Sequence, residues 1–161
     1  HMTWNDQELN NNEGMFLELA GAYARYHCPC SRTLFLGSPP KKYLDIEKVI
    51  SECIENAISM FKPGNTCAEI SDNFTATLKK YGYEKNNRCG YPIGLSYPPD
   101  WGERTMSLRG TDQTILQENM TFHFMPAIWF DDWGFEMTES IRVGENGGEC
   151  LSKVPRQLLV K

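Results

Sequence analysis

Asp45-Ile46-Glu47-Lys48-Val49-Ile50-Ser51-Glu52-Cys53-Ile54-Glu55-Asn56-Ala57-Ile58-Ser59-Met60-Phe61 is the stretch on which the reading of the fold turns. Its apolar residues Ile46, Val49, Ile50, Cys53, Ile54, Ala57, Ile58 and Phe61 recur at the three- and four-residue spacing of one helix face. Asp45 is the expected N-cap, because its carboxylate can accept from the free N–H groups of a first turn, and Pro39-Pro40 interrupts what precedes it. Downstream, Pro63-Gly64-Asn65 reads as a turn, and Thr66-Cys67-Ala68-Glu69 fits a capping box that opens a second helix through Ile70, Phe74, Leu78 and Tyr81. Two amphipathic helices joined so closely should pack as an antiparallel pair.

Both flanks of this helical pair read as strands. Met15-Phe16-Leu17-Glu18-Leu19-Ala20 and Cys30-Ser31-Arg32-Thr33-Leu34-Phe35-Leu36 predict a hairpin, with the aromatic stretch Tyr23 to His27 between them. Residues 90–104 are rich in Gly, Pro and aromatics and predict loop, followed by strands near 120–129 and 134–143. Strands, then helices, then strands predict an α+β domain: a curved antiparallel sheet with the helices on its outer face.

A chain of 161 residues with 40% hydrophobic residues can bury a core of its own, which argues against disorder. Net charge is −5 and no Lys/Arg run could track a phosphate backbone, so nucleic acid is excluded as the expected partner. No apolar run approaches the roughly 20 residues that span a bilayer. The six cysteines lack the paired spacing of a zinc site or a disulfide scaffold, and we read them as reduced thiols of a cytoplasmic protein. His1-Met2 reads as a cloning scar, with residues 3–161 expected to be the C-terminal portion of a longer catalytic domain.

Three stretches carry a family likeness. They are Leu17 to Tyr23 running through Tyr26-His27 to Ser31-Arg32-Thr33, then Gly90-Tyr91-Pro92-Ile93-Gly94, and then Asn119-Met120-Thr121-Phe122 with Pro126 followed by 134–143. The chain resembles the C-terminal part of the pita-bread catalytic domain of the creatinase and Xaa-Pro aminopeptidase family. Gly94-Leu95-Ser96-Tyr97-Pro98-Pro99-Asp100-Trp101-Gly102-Glu103 and Met120-Thr121-Phe122-His123 are similar to its ectoine hydrolase branch, which opens a cyclic amidine to an N-acetylated diamino acid. The resemblance implies a hydrolase of a small C–N bond, a small-molecule substrate, a missing N-terminal half of the same protein and a homodimer. An Xaa-Pro dipeptidase relative and a non-catalytic binding module are the competing readings.

In the metallopeptidase members of that family, two Asp, one His and two Glu hold two cations that activate water. Placed on this chain, the first Asp position falls on Glu18. The remaining four fall on Pro29, Tyr91, Met125 and Thr138. One carboxylate beside a proline, a phenol, a thioether and a hydroxyl lacks the charge and hard donors of a two-metal site, so the expectation is no cofactor and metal-independent hydrolysis.

If those positions face the pocket, strand alternation brings their i±2 neighbours to the same face. Met125 selects His123 and Thr121, Thr138 selects Glu136 and Ser140, and Pro29 selects His27 and Ser31. The catalytic candidates are therefore Glu18, His27, Tyr91, His123 and Glu136, a set able to activate water and protonate a leaving nitrogen. Ser140 and Trp101 are the substrate-binding candidates. Each has a plainer reading: Glu18 at a rim, His123 as a core histidine between two Phe, and His27 as a solvated turn residue. Glu139 is expected outward. Trp101, Trp129 and Trp133 offer aromatic faces to an amidinium, although Trp129 also reads as core and Trp101 as part of a lid or dimer contact.

Overall fold

The computed structural model describes residues 6–161, so the expected scar at His1-Met2 lies outside the described residues. Strands β1 (Glu13–Tyr23) and β2 (Tyr26–Leu36) form an antiparallel hairpin in continuous register from Glu13 opposite Leu36 to Tyr23 opposite Tyr26. The expected hairpin is present and longer. Most of the aromatic stretch assigned between the strands belongs to them, because the turn is only Ala24-Arg25, with φ of 47° and 69°. Such two-residue turns favour Asn-Gly, and neither residue here signals one.

Helix α1 (Lys41–Ile58) begins four residues before the expected cap, with Pro40 at the N-cap and no side-chain cap. Asp45 lies inside it and takes a 2.5 Å salt bridge from Lys41. The fixed φ of proline already suits a helix entrance, so no capping side chain was needed. Helix α2 (Cys67–Lys80) starts as expected: Glu69 N donates to Thr66 Oγ1 at 3.2 Å, and Thr66 N donates to the Glu69 carboxylate at 2.7 Å.

The remaining strands are β3 (Gly90–Pro92), β4 (Thr121–Phe124), β5 (Ala127–Trp129), β6 (Gly134–Glu136), β7 (Glu139–Val143), β8 (Gly148–Cys150) and β9 (Leu159–Val160). Each of the two long strands expected after residue 119 is split, at Met125-Pro126 and at Met137-Thr138. Pro126 has no N–H for a ladder. The sheet is thereby divided into three hydrogen-bonded pieces: β1-β2-β9, β3-β4-β7-β8 and β5-β6. All pairings are antiparallel except β2 with β9, which departs from the wholly antiparallel expectation. A bridge between Arg32 and Met137 ties the hairpin to the rest.

The helices cover the β3-β4-β7-β8 piece and β6. Ile46, Ile50, Ile54 and Phe61 from the α1 side and Ile70, Phe74 and Leu78 from α2 join Phe122, Phe124, Phe135 and Ile141 in one buried cluster. Phe61 lies 5.7 Å from both Phe122 and Phe124, and Phe74 5.8 Å from Phe124. Burying each such side chain contributes about 1.5–3 kcal/mol, which fixes β4 against the helices and so places the residues on its other face.

Candidate active site

Residues directly opposite one another in an antiparallel pair share a face. In the hairpin Glu18 faces Ser31, Ala20 faces Pro29 and Ala22 faces His27. Across the next piece Tyr91, His123 and Ser140 form one row. Phe122 and Phe124 point into the helical core, so His123 between them points the other way, towards the hairpin.

His123 is the centre of this face. Its Nδ1 lies 2.9 Å from the Tyr91 hydroxyl and its Nε2 lies 2.7 Å from Thr138 Oγ1. Trp101 Nε1 donates to the same Tyr91 oxygen at 2.8 Å, and Ser31 N donates to Thr138 Oγ1 at 2.8 Å. Glu18 Oε1 is 3.9 Å from His123 Nε2. Burial pushes the imidazole down to about 3, with a smaller push from Arg88, so it is neutral at physiological pH and the Glu18 contact is not an ion pair. Burial also pushes the Tyr91 phenol up to about 12.

Two carboxyl groups sit beside this network. Burial raises Glu18 above its ordinary value. Glu136 is 7% exposed and is pushed up to about 7, first by burial and then by the charge of Glu18. Ser31 lies near enough to oppose that shift slightly, although its hydroxyl makes no hydrogen bond of good geometry. A carboxyl group half protonated near neutrality, next to a second one, is the arrangement that separates a general acid from a general base.

Glu18, Tyr91 and His123 are thus brought together, and Glu136 lies near enough to be influenced by the Glu18 charge. His27 stands apart at the hairpin end, buried, with Nδ1 2.9 Å from Arg25 O. Trp101 reaches the network through Tyr91. The Ser140 hydroxyl is buried and donates to Pro29 O at 2.6 Å, tying β7 to β2. Trp129 is not core: it is 49% exposed and lies over Phe16 at 4.9 Å. Trp133 already carries a cation, Lys42 Nζ at 4.5 Å, so the tryptophans do not share one pocket. Glu139 is not solvated, being 1% exposed and paired with Arg32.

Sequence reasoning missed Lys85 and Arg88. Lys85 Nζ donates to Met125 O at 3.1 Å and Ala127 O at 3.2 Å, the carbonyls on either side of Pro126, and its charge lowers Glu136. The Arg88 guanidinium lies 4.6 Å from the Tyr91 ring centroid. Both come from the polar loop after α2, which has no pattern that sequence could use.

The model of metallopeptidase family M24 matches residues 1–146. The chain is 54% identical over its whole length to the ectoine hydrolase of Halomonas elongata, of which it covers 41%. It superposes on the prolidase from Pyrococcus horikoshii OT3 with a TM-score of 0.87 and 25% identity, covering 96% of this chain and 44% of that one. With the X-Pro aminopeptidase from Thermotoga maritima it shares the fold, at a TM-score of 0.89 and 21% identity, over 100% of this chain and 45% of that one. The chain therefore spans about two-fifths of the length of the curated relatives it matches.

The match to a metallopeptidase family overturns the expectation of no cofactor. The inference failed because it took replacement at Pro29, Tyr91, Met125 and Thr138 as a property of the whole protein, when these residues are only part of the length of its relatives. The donors present here do not themselves fit a metal centre. Among the described residues no group of three or more His, Cys, Asp or Glu is placed to hold an ion, and the Tyr91 and Thr138 hydroxyls are both bonded to His123.

Proposed function

The chain belongs to metallopeptidase family M24, and on that premise we propose that the full-length protein hydrolyses a C–N bond of a small cyclic amidine of the ectoine type. The observation that carries the chemistry is the Glu18–Glu136 pair, with Glu136 pushed up to about 7. Water adds to the amidine carbon, losing a proton to Glu18 as base. The carbon–nitrogen bond then breaks while the protonated Glu136 delivers its proton to the departing nitrogen, leaving an N-acylated diamine. His123, neutral and bonded on both sides, acts by positioning Tyr91 and Thr138. Tyr91 and its partner Trp101 form a polar wall for the substrate.

The 25% identity to a prolidase keeps Xaa-Pro dipeptide cleavage as the second reading. We place the protein in the cytoplasm, a reading supported by six free thiols, and infer a homodimer in which the rest of the chain completes the pocket. No helix among the described residues is long and apolar enough to cross a membrane.

The test is to assay the full-length protein on ectoine, creatine and an Xaa-Pro dipeptide, in buffer supplemented with divalent metal and in EDTA. Ectoine should be opened, and Glu136→Gln and Glu18→Gln should each lower kcat by roughly 100-fold or more with folding intact. Cleavage of the dipeptide alone, or an active Glu136→Gln variant, would sink the proposal.

A further inference from the structure

The ectoine-type reaction yields an N-acetylated diamino acid, so its substrate brings a carboxylate into the site as well as an amidine. A carboxylate that leaves water is costly unless a cation or several N–H donors meet it. Glu18 and Glu136 would repel it, so its anchor has to stand away from that pair.

Of the cations beside this network, two are already committed. Arg32 is paired with Glu139 and donates to backbone carbonyls, and Lys85 Nζ donates to Met125 O and Ala127 O at 3.1 and 3.2 Å. Arg88 is different. It is exposed, no acid among the described residues forms a salt bridge with it, and its guanidinium lies 4.6 Å from the Tyr91 ring centroid. Its charge acts on His123 and on the Tyr91 phenol, whereas the charges that act on Glu136 are those of Glu18 and Lys85. Arg88 therefore stands on the Tyr91 side of the network, away from Glu136. A ring face holds a guanidinium without using its N–H groups, so those donors remain available to a ligand.

We propose that Arg88 is the residue that selects an anionic substrate, receiving its carboxylate in a fork of two N–H donors while the amidine carbon lies at the Glu18–Glu136 pair. A planar guanidinium matches the two oxygens of a carboxylate, which an ammonium does not. Tyr91 joins the two ends of the site: its hydroxyl is bonded to His123 and Trp101, and its ring holds Arg88. The chemistry at the amidine rests on the hydrolase reading above, and Arg88 adds to it the contact that decides which amidines are accepted.

The test uses the full-length protein and two substrates of the same shape, ectoine and its neutral carboxamide. Wild-type kcat/KM should favour ectoine by roughly 10–100-fold. Arg88→Gln should raise KM for ectoine by a similar factor, more than it lowers kcat, and should weaken the carboxamide far less, so that the preference collapses. Arg88→Lys, which keeps the charge without the fork, should recover part of it. A merely structural role would weaken both substrates alike. Equal turnover of the two by the wild type, or a preference that survives Arg88→Gln, would overturn the proposal. Calorimetric binding of ectoine separates the two claims. Arg88-dependent binding without ring opening defeats the hydrolase reading alone, turnover with no Arg88-dependent preference defeats this inference alone, and no binding of ectoine defeats both.

Discussion

Glu136 and His123 set how folding responds to pH, and they act in opposite directions. Glu136 rises from 4.5 to about 7 on folding, so its stabilising contribution is present below that window and is lost as pH rises through it. His123 falls from 6.5 to about 3, so its contribution is present above 6.5 and is lost as pH falls towards 3. Between about 4.5 and 6.5 the two effects cancel, because unfolding moves a proton from Glu136 to His123 with no net uptake. Glu136→Gln should therefore gain stability relative to the wild type by on the order of 3 kcal/mol from pH 4.5 to 7. His123→Gln should gain relative to the wild type as pH falls below 6.5. Urea melts from pH 4 to pH 8 measure both slopes, and variant curves parallel to the wild type would contradict the assignment.

Among the elements, strand β2 is attached to the remainder by several links, and Arg32 is the side chain that makes the most of them. Arg32, 3% exposed, donates to Thr138 O and Pro155 O at 2.7 Å and to Val154 O at 2.8 Å, and pairs with Glu139 at 2.5 Å. Removing one partner of a buried pair strands the other charge, at about 3–5 kcal/mol. Arg32→Met should lose that much in denaturant melts and speed hydrogen exchange in β1-β2 ahead of the helices. Arg32→Lys should not restore it, since an ammonium cannot reproduce the planar fork. A loss below about 1 kcal/mol would show that the hairpin is held otherwise. The start of α2 was legible because a capping box is local chemistry. The start of α1 and the Ala24-Arg25 turn were not, since Pro40 needs no cap and the turn is imposed by Ser96 and Gly94 from a distant loop.

For the molecule as a whole, the exposed side of the hairpin is the conspicuous surface. Strand β1 pairs with β2 alone among the described residues, and Leu17, Leu19 and Tyr23, which share a face by alternation, are 44%, 70% and 88% exposed. An apolar edge strand of this kind is a ready template for association. The chain should therefore show a sedimentation coefficient that rises with concentration, and Leu19→Lys should flatten that rise without lowering the melting temperature. A wild-type chain that sediments as a monomer at every concentration would refute this.

Periodicity along the chain determined the two helices, their apolar faces and the hairpin, and strand parity, started from the Glu18 and Tyr91 positions that the family likeness supplied, put forward His27, His123 and Glu136, because periodicity and parity are properties of neighbours along the chain. The tertiary structure decided what those residues can do. Whether His123 is a base or a neutral bridge depends on Tyr91 and Thr138, which lie 32 residues before it and 15 after it. Whether Glu136 is an acid near pH 7 depends on burial and on Glu18, supplied from the other end of the chain. Ser140 and Glu139 looked like a pocket residue and a solvated one, and both are buried links to β2. Electrostatics and desolvation act through space, and no spacing along a sequence encodes them.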